Sequence, residues 1–422
     1  MLPDQPVRVM PEITILRQMP LMRFLACLFM LCGISSLHAQ EAERKRIQSR
    51  FILAEDGETI DLGEGRFVID ATLSMEGKKH ITIRGKGIDK TILSFKGQRS
   101  GAEGIRISNC SNITLEDFSA EDAKGDIIKT MHVNGVTFRR VRAAWTGKPS
   151  KHNGSYALYP VSCEKVLVES CVARGASDAG IYVGQSRTII VRHNKAFENV
   201  AGIEIENSID ADVYGNEAYH NTGGILVFDL PDLEVKKGGN CRVFDNKVWE
   251  NNTANFAPKG NIVGRVPQGT GIILLAANNV EIFRNQVTNN RTVGVSIVSY
   301  FISENPILDS AYYPYPTAIH IHDNQFSRKK QRATGKGRMG KLYRFKLRFG
   351  KNVPDIVYDG ILDAALVNSS GAYPDEKRIC LRNNTGAGFA NIDAANNFKR
   401  ISRDAGICDC SLPALPAVNP WF

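Results

Sequence analysis

Residues 179–199 read AGIYVGQSRTIIVRHNKAFEN, and residues 201–221 read AGIEIENSIDADVYGNEAYHN. The two stretches align without a gap at a spacing of 22, and Gly180, Gly202 and Gly224 keep that spacing, with Gly271 and Gly294 in equivalent places further on. Asn194, Asn216, Asn246 and Asn285 are each followed five residues later by a second asparagine: Asn199, Asn221, Asn251 and Asn290. Both rows share the spacings 22, 30 and 39, so insertions of 8 and 17 residues sit between fixed points. Within each unit the apolar residues alternate in two short bursts. Ile181/Val183 and Ile189/Val191 recur as Ile203/Val213, Ile225/Val227/Val243 and Ile272/Leu274/Ile282. Alternation over four or five residues marks a strand with one buried face. Two such strands cannot bury their inner faces alone; stacking unit on unit does so, and the repeated asparagines can hold the corners in register.

These features predict an all-β chain, a right-handed parallel β-helix (solenoid) of roughly ten coils, each about 4.8 Å above the last. The register extends back through Tyr156–Cys171, Ile128/Val136/Phe138, Ile105/Ile113/Leu115 and Ile81/Ile83, and forward to TAIHIHDN at residues 317–324. A leucine-rich repeat has a similar period but wants Leu at fixed positions and helical turns; here Ile and Val dominate. The expected organisation is an upstream extension plus secretory signal over 1–39, an N-terminal cap over 40–66, the β-helix over 67–327, a basic insertion over 328–351 and an irregular C-terminal strap or cap over 352–422.

The bulk composition agrees. The 422 residues are 43% hydrophobic and 23% charged, which suits a folded globular chain, and 37 Gly without a triplet period exclude collagen. Arg23 precedes an apolar run over residues 24–37, followed by Leu37-His38-Ala39 before Gln40. The run is short for a spanning helix and fits a cleavable signal, so a secreted or periplasmic location is expected, with no transmembrane segment after cleavage. Cys27 and Cys32 lie inside that run, and a lipid anchor is the alternative. Of the cysteines beyond it, Cys163, Cys171 and Cys241 fall in the repeat as buried thiols, while Cys380 with Cys408 or Cys410 is the candidate disulfide.

The chain resembles the pectate-lyase-like right-handed parallel β-helix superfamily over residues 60–325. Within it, ASDAGIYVGQS (176–186), AGIEIENS (201–208), GGILVFDLPDL (223–233) and NFAPKGN (255–261) look like a bacterial parallel-β-helix-repeat family of unassigned activity. The resemblance implies the fold and a bias towards carbohydrate; the paired Asp with G-H-G of polygalacturonases and the D-P-H of mannuronan epimerases are not found together here.

Because alternate residues of a strand face opposite ways, one outward column should read Arg106, Lys129, Tyr159, Tyr182, Glu204, Leu226, Ile273, Ser296, and a second Ser108, Met131, Val161, Gly184, Glu206, Phe228, Leu275, Val298. Loops at 143–155, 229–239, 253–269 and 300–316 border this strip and would make it a groove. From Arg106 to Glu204 it spans about 19 Å, the length of an oligomer. Arg106, Lys129, Tyr159, Tyr182 and Glu204 are the candidate catalytic residues: the cations neutralise a substrate carboxylate, while Tyr159, Tyr182, Lys129 or His152 exchange protons after a pKa shift by neighbouring cations. Trp145 could stack on a sugar ring or merely pack its loop. Lys151, His152, Glu206 and Asp229 complete the substrate-binding set. Glu204, Glu206 and Asp229 offer either glycosidase acid and base or Ca²⁺ ligands; outward charges on a solenoid are also ordinary solvated pairs. His320 and His322 stand two apart on the last strand and could share a metal, or simply mark a half-exposed end.

Residues 328–351 hold eleven Lys or Arg and no acid, against a net charge of +9, so the basicity is local. Such a run attracts polyanions, or forms a solvated, partly mobile loop or an extra amphipathic element (KLYRFKLRF alternates). The expected function is binding or cleavage of an acidic polysaccharide, by a lyase or hydrolase, as a monomer and without nucleic acid. The alternatives are a non-catalytic carbohydrate-binding or envelope scaffold, and an accessory factor for an exported metalloprotein.

Overall fold

The structure is a computed structural model that describes residues 43–369 and 371–421. The expected signal segment, with Cys27 and Cys32, lies outside the described residues. The chain divides into two compact units, Met1–Arg46 and Ile47–Phe422. In the first, residues 43–46 are helical and Arg46 pairs with Glu43 at 2.5 Å. All that follows concerns the second.

Helical turns over residues 47–53 bury Ile47 and Phe51 in the core. The chain then winds into two parallel sheets, one of eleven strands and one of nineteen. Register partners follow the repeat: Ile181 pairs with Ile203, Ile203 with Ile225, and Ile225 with Ile272. The inward residues of both sheets form one continuous apolar core from Ile47 to Cys408. Stacking begins earlier and ends later than the repeat alone indicates. Thr59–Asp61 already pairs with the next coil, and Ile356–Tyr358 and Phe389–Asn391 continue the eleven-stranded sheet past residue 327.

Each coil from Tyr156 to Ser327 has three strands rather than two. The third is three residues long (Lys195–Phe197, Glu217–Tyr219, Lys247–Trp249, Gln286–Thr288) and lies between the two asparagines of each unit. Both asparagine rows form buried ladders. Asn216 accepts from the backbone and side-chain N–H groups of Asn194, each at 3.0 Å, and donates to Val191 O at 2.9 Å and to Asn246 Oδ1 at 3.0 Å. Asn221 does the same between Asn199 and Asn251. The glycine row has a steric cause. A Cβ on Gly202 would stand 2.6 Å from the carbonyl oxygen of Gly224, and one on Gly224 would stand 2.6 Å from that of Gly271.

The outward face of the nineteen-stranded sheet is covered by the tail. Leu167, Ile190, Asp212, Arg242, Glu281, His320 and Cys380 are successive register partners. Cys380 is bonded to Cys410, which resolves the choice of partner, and Cys408 stays a buried thiol. From there residues 411–421 run without regular structure along that column: Leu415 N–H donates to Glu281, Val418 N–H donates to Asp212, and Val418 packs on Leu167 and Ile190. The expected C-terminal strap therefore lies along the side of the stack. Its backbone donors find partners there in outward carboxylates.

The basic segment also differs from a solvated run. Gly337–Lys341 is helical and Leu342–Lys346 continues it as a wider turn. Tyr343, Leu347 and Phe349 are buried against Val357, Ala390 and Ile392 and close the late end of the eleven-stranded face, while Lys329, Lys330, Lys341, Lys346 and Lys351 are exposed and Arg328 and Arg344 half-buried. Among the described residues, no helix is long and apolar enough to cross a membrane.

Candidate functional site

The two outward columns form as expected. Arg106 pairs with Lys129, Lys129 with Tyr159, Tyr182 with Glu204, and Glu204 with Leu226, Ile273 and Ser296 in turn; Gly184, Glu206, Phe228, Leu275 and Val298 run beside them. The strip is not open along its length. Arg106 is exposed and Lys129 and Tyr159 are half-buried, but Tyr182, Glu204 and Glu206 are covered. The cover is a second apolar layer in which Val263, Val266, Tyr300 and Tyr312 pack on Tyr182, Leu226, Phe228 and Ile273. Alternation had fixed which way these side chains point; it carried no information on what the insertions place above them.

Beneath this cover sits a cluster of acids and phenols. The rings of Tyr156, Tyr159 and Tyr182 lie 4.4–5.1 Å apart. Tyr182 passes over Gly184, where a Cβ would fall 2.3 Å from its hydroxyl, and donates to Glu206 at 2.5 Å. Asp178 accepts from Asn261 of the covering loop at 3.2 Å. Glu204 is 1% exposed and, among the described residues, neither of its carboxylate oxygens has a hydrogen-bond partner. Burial pushes all three carboxyls up, and their mutual repulsion adds to it for Asp178 and Glu204; Asp178 and Glu206 reach about 7. Asp126, which accepts from Tyr156 N–H at 3.0 Å, is pushed by burial to about 6.

The phenols move away from the role expected of a base. Burial and nearby carboxylates raise Tyr159 to about 12 and hold Tyr156 and Tyr182 well above the usual phenol range. Lys129 lies 4.9 Å over the Tyr159 ring and 4.0 Å from Glu103, too weakly placed to reverse that. The carboxyls, not the tyrosines, are thus the groups able to exchange a proton near neutrality.

The remaining candidates separate. Trp145 is buried in the inner core, its ring N–H donating to Ala123 O at 2.8 Å, so it packs its loop and offers no face to a sugar. Lys151 and His152 are exposed on the turn of that loop. Asp229 is buried and accepts from Gly238 N–H at 3.0 Å, which closes the loop between them; burial raises it to about 7. Asp212 serves Arg242 and the strap. Among the described residues the carboxylate oxygens of Asp178, Glu204, Glu206 and Asp229 do not gather three together within 4.8 Å. Over the apolar half of the strip a cleft of about 220 Å³ has Phe228, Ile273, Leu275 and Val298 among its walls, with Arg265 and Glu304 its charged members. Asp126, Tyr156, Asp178 and Asn261 were not foreseen. Alternation gave no signal for Tyr156, which shares the parity of inward Leu158 and faces outward because Ala157 and Leu158 both enter the core.

In fold, the chain is similar to the mannuronan C-5 epimerase AlgE4 A-module of Azotobacter vinelandii (14% identity, 82% of this chain and 91% of that chain covered, TM-score 0.49). It is similar too to an alginate lyase from Paenibacillus sp. str. FPU-7 (13%, 68% and 96%, 0.39) and to PfbA, a surface adhesin of Streptococcus pneumoniae (10%, 83% and 86%, 0.42). Among curated protein sequences there is no match. The model of the right-handed beta helix region matches residues 68–229 and 150–309, more than half of the chain, and by that match and its winding the protein belongs to the right-handed β-helix family.

Proposed function

We propose that this is an exported protein that binds an acidic polysaccharide along the Arg106–Glu206 strip and hydrolyses it with the carboxyls beneath the covering loop. One observation carries the reading: Asp178, Glu204 and Glu206 are buried together, with repulsion among them raising Asp178 and Glu204, at the end of a tyrosine shelf that starts at two cations. Glycoside hydrolysis needs one carboxyl that keeps its proton and one that has lost it. Acids held near neutrality by burial and mutual repulsion meet that need at physiological pH. The proton passes from the protonated carboxyl to the leaving glycosidic oxygen; an ionised partner takes a proton from the water that adds to the anomeric carbon. Arg106 and Lys129 hold a uronate carboxylate, and the half-buried Tyr156 and Tyr159 supply stacking faces. Elimination is the weaker route, because a tyrosine base would need its pKa lowered.

Assay of the purified protein on uronate polymers, with and without Ca²⁺, tests this. New reducing ends without an ultraviolet-absorbing unsaturated product are expected, lost in Glu206→Gln and Asp178→Asn, with KM raised in Arg106→Ala. The second reading is a non-catalytic glycan-binding surface, and the nearly complete burial of Glu204 favours it. Absence of cleavage on every polymer, with salt-sensitive binding that survives Glu206→Gln, selects that reading.

A further inference from the structure

The outer face of the nineteen-stranded sheet carries a different constellation. Glu281 and His320 are register partners on neighbouring coils, and His322 follows two residues later on the same side of its strand. One carboxylate oxygen of Glu281 and one ring nitrogen from each histidine lie within 4.8 Å of one another. His322 is already oriented: its ring stacks on Phe283 at 5.3 Å, Nδ1 is 2.7 Å from Asp323 Oδ2, and Nε2 is 3.0 Å from Glu281 Oε1. The second oxygen of Glu281 accepts the Leu415 N–H of the strap at 3.0 Å. His320 is the unsatisfied member. It is 8% exposed, and among the described residues neither ring nitrogen has a hydrogen-bond partner. A buried imidazole left so costs free energy that a ligand at its nitrogen would recover.

We propose that Glu281, His320 and His322 form a binding site for a borderline first-row divalent cation of the Zn²⁺ type. Two imidazoles and a carboxylate are the donors such an ion selects, whereas Ca²⁺ and Mg²⁺ require oxygen throughout. The 3.0 Å between His322 and Glu281 is near the ligand-to-ligand edge of a tetrahedron with bonds of about 2.0 Å. Asp323 supplies the outer-shell carboxylate that turns Nε2 towards the ion. Three protein donors leave a fourth position, and a cavity of about 210 Å³ adjoins Glu281 and His320 beneath Leu412, Pro413 and Leu415 of the strap. The site is independent of the glycan-face reading.

The test uses the full chain, stripped with EDTA and titrated with Zn²⁺ against a chromophoric chelator. One Zn²⁺ per chain is expected at micromolar affinity or tighter. Asp323→Asn should weaken it by about 10-fold, and His320→Ala and Glu281→Gln by more than the roughly 100-fold upper limit of an outer-shell change. His193→Ala, on an exposed turn, should leave it unchanged. X-ray absorption at the zinc edge of the wild-type complex, which needs no variant to fold, should show two imidazoles and no sulfur. Failure of the wild type to bind one equivalent overturns the proposal. So does a sulfur shell, which would place the ion on a cysteine, or affinity unchanged by His320→Ala.

Discussion

Asn216→Ala is expected to cost about 5 kcal/mol. The side chain makes four hydrogen bonds, two as acceptor from Asn194 and two as donor to Val191 O and Asn246 Oδ1. After truncation Asn194 Nδ2 keeps Val168 O, and Asn246 Oδ1 keeps the Asn216 backbone N–H. The backbone N–H of Asn194 loses its acceptor, at roughly 1–3 kcal/mol for a buried donor, and the three other bonds contribute about 0.5–1.5 kcal/mol each net. The exposed Asn134, whose side chain donates to Glu164, is the control, and its replacement by Ala should stay within about 0.5 kcal/mol. Urea unfolding followed by far-UV circular dichroism measures both. Because coils depend on their neighbours, the variant should also lose hydrogen-exchange protection at Asn194 and Cys171 before the distant coils do. A loss under 1 kcal/mol, with protection intact, would refute the view that the ladder holds the stack in register.

Gly224→Ala should destabilise by about 1–3 kcal/mol, because the new methyl meets the Gly271 carbonyl and Val248; thermal melting measures it. Asp178 and Glu206 titrate near 7 when folded but near 3.9 and 4.3 when unfolded, so the folded state binds the extra protons and their contribution is lost as pH rises from about 4 to 7. The stability gap in favour of the Asp178→Asn/Glu206→Gln double variant should therefore widen over that range in urea titrations; a constant gap contradicts the raised values. Reducing Cys380–Cys410 opens a link of sequence separation 30 and should cost about 3–4 kcal/mol on the chain-entropy model, read as a lower urea midpoint with dithiothreitol. Trp145→Ala should lower stability while leaving any glycan binding unchanged, since the ring sits in the inner core.

The winding was legible because stacking imposes a period that survives insertions: Asn216 and Asn246 face each other although 30 residues separate them. The third strand was not, since Lys195–Phe197 turns only Ala196 inward and a single residue shows no alternation. Outward direction was legible for Tyr182 and Glu204; their burial was not, because it depends on where Val263 and Tyr312 come to rest. The sense of the tyrosine shift failed for the same reason: desolvation beneath those loops and the nearby carboxylates, not the cations of the column, set it at Tyr182. An irregular C-terminal strap was expected, but its path follows from outward Glu281 and Asp212, which offer acceptors to its backbone.

That path has a consequence for the order of assembly. Coils can close one after another as the chain emerges, yet Asp212 waits for a donor 206 residues further on. Residues 410–421 thus act as a latch fastened after everything else, and a product clipped before Cys410 would keep its winding while losing the clasp that runs across seven of its turns.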